Sequence, residues 1–229
     1  MIRGLIFDFY GTLIEGDVMN PSPCDYLTLR GYKSSKQIQL QWESDAFDGQ
    51  ITPSLRDNPN YHEWLLNNYK ELARLSGVPN QSIDTVAKDL LLNDRSWTFK
   101  AKRYAYEVID LSIKKGLIIG VCSNWDYPLE EYLVQTGLSC IKNISVSCEV
   151  GARKPHPLIF NDILAKIGLS VQEVMFIGDT WNADIIGSRN LGLQAIYLKD
   201  VAMQEKSDTD GILHMRTLDD LYTYIEMNL

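Results

Sequence analysis

Histidine and cysteine are scarce in this chain of 229 residues, with three of one and four of the other. The cysteines, at 24, 122, 140 and 148, form no C-x-x-C pair. No zinc-ligand spacing and no disulfide framework follows from them. Cys122 and Cys148 lie in apolar runs and read as buried thiols, a usage that suits a reducing cytoplasm. Basic residues are the minority: 22 Lys and Arg stand against 30 Asp and Glu, for a net charge of −8. That balance argues against a nucleic-acid or anionic-membrane surface, since both need clustered cations. No apolar run reaches the roughly 20 residues that span a bilayer. The chain opens directly into a strand-like segment, so no signal peptide is expected. Internal repeats and low-complexity tracts are lacking too.

What is present is a hydrophobic fraction of 45%, ordinary for a globular protein. Three apolar, strand-like runs each end in a polar or acidic residue. Leu5-Ile6-Phe7 runs into Asp8 and the turn Phe9-Tyr10-Gly11-Thr12; Val121-Cys122 into Ser123-Asn124; Phe176-Ile177-Gly178 into Asp179. The C-terminal ends of parallel strands are where open α/β sheets bind ligands. From residue 100 onward helices and strands alternate, which implies an open, Rossmann-like parallel sheet with helices on both faces. Helices are expected over 100–115, 127–137, 157–168, 183–191 and from 217. Strands are expected over 117–122, 143–147, 173–178, 193–198 and near 212–214. Residues 15–95 differ: Pro21, Pro23, Pro53 and Pro59 punctuate polar stretches with helical spacing and no convincing strand. The domain reading is therefore an α/β core from 1–14 and 96–229, with a helical insertion over 15–95. Ser82 is a plausible N-cap in that insertion.

Each chemical motif has a plainer alternative. Asp8 can be a nucleophile, since carboxylates form covalent intermediates, or a turn aspartate. Ser123 and Asn124 can hold an anion, or, with Asp126, cap a helix; a helix N-terminus serves both. Lys154, fixed in Gly151-Ala152-Arg153-Lys154-Pro155-His156-Pro157, can neutralise a carboxylate or be a solvated lysine. Arg153 reads as its surface-facing neighbour and His156 as a residue that caps or packs rather than catalyses. Asp179 and Asp184, entering a helix after a strand, offer oxygen ligands suited to Mg²⁺.

In this order and context the four pieces resemble the haloacid dehalogenase-like hydrolase superfamily. The match runs end to end: Asp8-Phe9-Tyr10-Gly11-Thr12, Ser123 at a strand end, Lys154 in a Lys-Pro turn, and Gly178-Asp179 with Asp184. The resemblance implies that residues 15–95 are a cap closing over the site. It makes Asp8 the nucleophile, Thr12 and Ser123 its orienting partners, and Lys154 the group that steadies its charge. Tyr10, Gly11 and Asn124 would meet the substrate. Mg²⁺ would be held by Asp8, the Tyr10 carbonyl, Asp179 and Asp184.

Tyr10 departs from the family's phosphatases, which carry a second aspartate there as general acid and base. The family's 2-haloacid dehalogenases carry tyrosine in a similar stretch and use no metal, but lack the acidic Gly-Asp start of the last motif. The acids decide for a Mg²⁺-dependent phosphohydrolase, because they would only repel an anionic haloacid. Acyl or aryl phosphates are then the expected substrates. The alternatives are a metal-independent 2-haloacid dehalogenase, with Arg30 or Arg56 reaching the substrate carboxylate, and an impaired scaffold that binds a phosphorylated ligand or partner. The aromatics Tyr26, Trp42, Phe47, Tyr61, Trp64 and Tyr69 read mostly as core of the insertion. A monomer or homodimer is expected.

Overall fold

The computed structural model describes residues 1–18, 20–56, 58–199 and 212–229, the side chains of 44–46 excepted. Strand β1 (Gly4–Phe7) leads to β2 (Ile14–Val18), and then to the helices α1 (Pro23–Leu29), α2 (Lys36–Ala46), α3 (Tyr61–Leu75) and α4 (Ile83–Arg95). Next come β3 (Thr98–Ala101), α5 (Ala105–Lys114), β4 (Ile118–Ser123), α6 (Glu130–Gln135), β5 (Asn143–Val146), α7 (Ser147–Val150) and α8 (Pro157–Ile167). Strand β6 (Val174–Gly178), a π-helical turn (Trp181–Ile186), α9 (Gly187–Asn190), β7 (Gln194–Leu198), β8 (Leu213–Met215) and α10 (Leu218–Asn228) complete the chain.

Six strands form one parallel sheet in the order β5-β4-β1-β6-β7-β8. All four residues of β1 are buried, as a central strand covered on both faces requires. Its side chains alternate between the two sides. Leu5 and Phe7 join the larger core with Val108 of α5 and Ile225 of α10. Ile6 joins Phe160 and Ile163 of α8 on the opposite face.

Local chemistry sets the helix limits. Pro157 opens α8, the His156 ring accepts the Leu158 N–H at 3.2 Å, and Gly168 closes it at φ 67°. A Thr217–Asp220 capping box starts α10. In α3 the buried positions Tyr61, Leu65, Tyr69 and Leu72 recur every three or four residues and face α4 through Ile83, Val86 and Leu90.

The expected pattern needs correction at three places. Residues 14–18 are a strand, paired antiparallel with β3 across the helical segment. Thus 98–101 is strand, and the helix expected from residue 100 starts at Ala105, after Tyr104 in a left-handed conformation. Glu15, Gly16 and Asp17 are poor strand formers, so this ribbon exists only because β3 supplies its partner. Pro128 delays the helix expected at 127 until Glu130. Ser82 adjoins α4 but makes no side-chain capping bond. No helix among the described residues is long and apolar enough to cross a membrane.

Candidate active site

The three central strands deliver their last residues to one point. Asp8 follows β1, Ser123 ends β4, and Asp179 follows β6. The Asp8 N–H is tied to the Ile177 carbonyl at 2.8 Å, which fixes the carboxylate at the rim of the sheet. Lys154 enters from the loop before α8. It is 2% exposed and donates from Nζ to Asp8 Oδ1 and to Asp184 Oδ1, both at 2.6 Å. The lysine is therefore the buried partner of two carboxylates and not a solvated surface cation. Ser123 Oγ donates to Asp8 Oδ1 at 3.3 Å.

Burial works against the Lys154 charge, but Asp184 and Asp8 outweigh it and hold the ammonium above the ordinary lysine range. Burial pushes Asp184 up to about 7 against the pull of Lys154, and pushes Asp179 up to about 6 with help from the Asp8 charge. Asp8, Asp179 and Asp184 each offer a carboxylate oxygen within 4.8 Å of the others. Three acids thus face one bound lysine. An all-oxygen donor set short of positive charge fits Mg²⁺.

Two glycines make this packing possible. Gly178 would place a Cβ 2.5 Å from Asp184, and Gly11, at φ 89°, would place one 2.5 Å from Asp179. The Gly11 N–H is given to the Ile14 carbonyl at 2.9 Å, and the missing side chain leaves space for the Asp179 carboxylate. Thr12 is buried and turns to Asp179 at 3.4 Å rather than to Asp8. The Asn124 side chain is turned to the lysine loop: its Oδ1 accepts the Lys154 N–H at 2.6 Å and its Nδ2 donates to the Lys154 carbonyl at 3.0 Å. It clamps the lysine loop. Neither Asn124, Ser123 nor Asp126 caps a helix, because α6 starts only at Glu130.

Arg153 is the clearest correction. It is 8% exposed, donates to Asp126 Oδ1 at 2.6 Å, and lies 4.6 Å over the Phe47 ring. A partner two residues beyond the Ser123-Asn124 motif and an aromatic face just past the end of α2 took it inside; neither is visible in the local sequence. Lys102 was also missed. It donates to the Gly11 carbonyl at 2.6 Å, linking the segment after β3 to the turn that follows Asp8.

Above the carboxylates lies a cavity of about 440 Å³. Asp8, Tyr10, Ser123, Asn124, Lys154 and Asp184 line its floor. Trp42, Phe47 and Tyr69 line it from the helical segment, whereas Tyr26, Tyr61 and Trp64 pack elsewhere. Arg30 pairs with Asp89 at 3.9 Å and Arg56 with Glu149 at 2.5 Å, and neither lines the cavity. Tyr10 is 40% exposed and edge-on to Phe99, with ring centroids 5.7 Å apart. Burial, followed by the charges of Asp179 and Glu15, raises its phenol above the ordinary value.

Comparison with known proteins agrees with this geometry. Haloacid dehalogenase-like hydrolase domain-containing protein 3 of Mus musculus is 29% identical over 148 residues, covering 60% of this chain and 59% of that protein. The chain therefore spans less than two thirds of that relative's length. A glyceraldehyde 3-phosphate phosphatase of Methanothermobacter thermautotrophicus is 31% identical over 108 residues, 44% of this chain and 45% of that one. In fold, the chain superposes on L-2-haloacid dehalogenase from Xanthobacter autotrophicus over the full length of both, with a TM-score of 0.63 at 16% identity. The family model for haloacid dehalogenase-like hydrolase matches residues 2–192, and with Asp8, Ser123, Lys154 and Asp179 gathered at the ends of the parallel strands, the chain belongs to that family of hydrolases.

Proposed function

We propose that the protein is a Mg²⁺-dependent phosphohydrolase acting on small phosphorylated molecules. The observation that carries this reading is the charge balance of the site: Asp8, Asp179 and Asp184 lie together, and among the described residues Lys154 is the one cation ion-paired within the group, to Asp8 and Asp184. Asp8, Asp179 and Asp184 would hold Mg²⁺, with the Tyr10 carbonyl as a further ligand, and the ion would offset the charge between these acids and a phosphate dianion. A haloacid carboxylate has less support. The two cations that line the cavity, Arg153 and Lys154, are both engaged by carboxylates.

In this reading the Asp8 carboxylate attacks phosphorus as the bond to the leaving oxygen breaks. Lys154 and Ser123 hold the carboxylate in line, and water then hydrolyses the aspartyl-phosphate to phosphate and free Asp8. Tyr10 stands where a general acid would serve, and its raised phenol is too weak an acid to assist departure. The leaving group must therefore depart as a stable anion, so aryl and acyl phosphates are favoured over alkyl phosphates. Helices α1–α4, inserted between β2 and β3, act as a cap over the cavity. The buried thiols of Cys24, Cys122 and Cys148 suit a cytoplasmic setting.

The test is phosphate release from p-nitrophenyl phosphate with Mg²⁺ and with EDTA, using Asp8→Asn as control. Turnover that needs Mg²⁺ and disappears in Asp8→Asn is expected. A folded protein with no turnover returns the question to the alternatives. Halide release from 2-chloropropionate without metal would establish a dehalogenase, and its absence would leave a binding scaffold.

A further inference from the structure

Beyond Asp8, Lys154 and Asp184, the cavity lining has a chemistry that hydrolysis alone does not need. Two groups of rings wall it. Phe99, Trp125 and Tyr132 stand with centroids 5.2–5.7 Å apart, and Trp42 lies 5.1 Å from Phe47 and 5.4 Å from Tyr69. The same lining carries the carboxyl groups of Glu43, Asp48 and Asp94. Among the described residues none of these three has an ion-pair partner. Glu43 accepts a hydrogen bond from the Gln39 amide at 2.7 Å, and Asp94 from the Tyr69 hydroxyl. The neighbouring Tyr127 hydroxyl is buried without a hydrogen-bond partner. Arg153, paired with Asp126 and lying over the Phe47 ring, partly offsets Asp48, which leaves Glu43 and Asp94 as the lining carboxyls without an ion-pair partner among the described residues.

Aromatic faces beside uncompensated carboxylates attract a cation, through the ring quadrupole and through direct charge. An acidic wall would repel a second anionic group on a substrate. We propose that this part of the cavity is a subsite for a positively charged nitrogen on the leaving group, so that the substrate is a phosphate monoester bearing an ammonium or quaternary amine. The proposal rests on the phosphohydrolase reading for the other end of the molecule. The phosphate lies at Asp8 and Lys154, and the cationic nitrogen lies among Asp94, Glu43 and the rings. Burial pushes Asp94 up to about 6, which leaves it charged at neutral pH and available to the cation.

The test compares three aryl phosphates that differ at a remote position: 4-(aminomethyl)phenyl, 4-ethylphenyl and 4-carboxyphenyl phosphate. The aminomethyl ester is expected to exceed the uncharged ethyl ester about tenfold in kcat/KM, with the carboxy ester poorest. Calorimetric binding of the same esters to Asp8→Asn reads the preference independently of turnover. Failure to release phosphate from any ester counts against hydrolysis; equal or reversed binding of the aminomethyl and ethyl esters overturns the cation subsite. The ratio between these two esters is expected to fall toward one in Asp94→Asn and in Glu43→Gln. An undiminished ratio in both variants would also overturn the assignment.

Discussion

The side chain of Asn124 and the backbone of Lys154 bind each other twice, at 2.6 Å through the Lys154 N–H and at 3.0 Å through its carbonyl. This clamp sets where the Lys154 side chain starts, and hence where its ammonium meets Asp8 and Asp184. Asn124→Ala removes both bonds and leaves the loop to water. We expect kcat to fall about 10–100-fold, the cost of misplacing a reacting group by a fraction of an ångström to an ångström, with KM changed much less. Stability should fall by about 1–3 kcal/mol. Steady-state kinetics and a denaturant melt check both; an unchanged kcat would show that the loop holds its position without the clamp.

Lys154→Met probes the buried charges directly. It strands Asp8 and Asp184, each less than 10% exposed, without their shared cation. Breaking a buried pair from one side costs about 3–5 kcal/mol. The thermal midpoint should drop and turnover should vanish. Adding Mg²⁺ should raise the midpoint more in the variant than in the wild type, because the cluster has lost the ammonium that pairs with Asp8 and Asp184. Scanning calorimetry with Mg²⁺ and with EDTA reads this difference.

Tyr10→Asp supplies the carboxyl that alkyl leaving groups need. Activity on a sugar phosphate should rise about 10²-fold, while activity on p-nitrophenyl phosphate, whose leaving group needs no proton, changes little. A folded variant that binds Mg²⁺ and gains nothing on the sugar phosphate would sink the assignment of Tyr10 as the limiting position.

Asp94 should make the protein less stable as pH rises. Burial is the main cause of its raised pKa, the Asp126 charge adds to it, and the Tyr69 hydroxyl partly offsets it. The folded carboxyl titrates near 6 and the unfolded one near 3.8, so between these values the folded state holds more protons. Stability is therefore lost as pH rises through that window, by about 3 kcal/mol at most. Asp94→Asn should melt higher than wild type at pH 7–8 and equal to it near pH 4. Parallel melting curves at every pH would show that Asp94 carries no such cost.

The alternating strands and helices after residue 100, and the strand ends at Asp8, Ser123 and Asp179, were legible in the chain because they depend on local chemistry. Apolar runs, turn residues and caps act over a few positions. So β1, β4 and β6 and the glycine-closed helix α8 emerge close to their observed limits. The family's motif order added the gathering of Asp8, Ser123, Lys154 and Asp179 at one point, which no local pattern contains. The β2–β3 ribbon was not legible, since its strands pair across the whole helical segment and Glu15-Gly16-Asp17 carries no strand signal of its own.

The sequence by itself determined the parallel α/β core, the family and the acids of the site. Tertiary structure alone decided what these residues do to one another. It took Arg153 inside against Asp126 and gave both faces of Asn124 to the Lys154 loop. It turned Thr12 toward Asp179 and made Gly11 and Gly178 room for carboxylates. It also brought Asp94 and Glu43 from separate helices to the lining of one cavity. The reason is physical: a charge's environment is set by what packs around it in space, and burial, pairing and exclusion of water are not local in sequence.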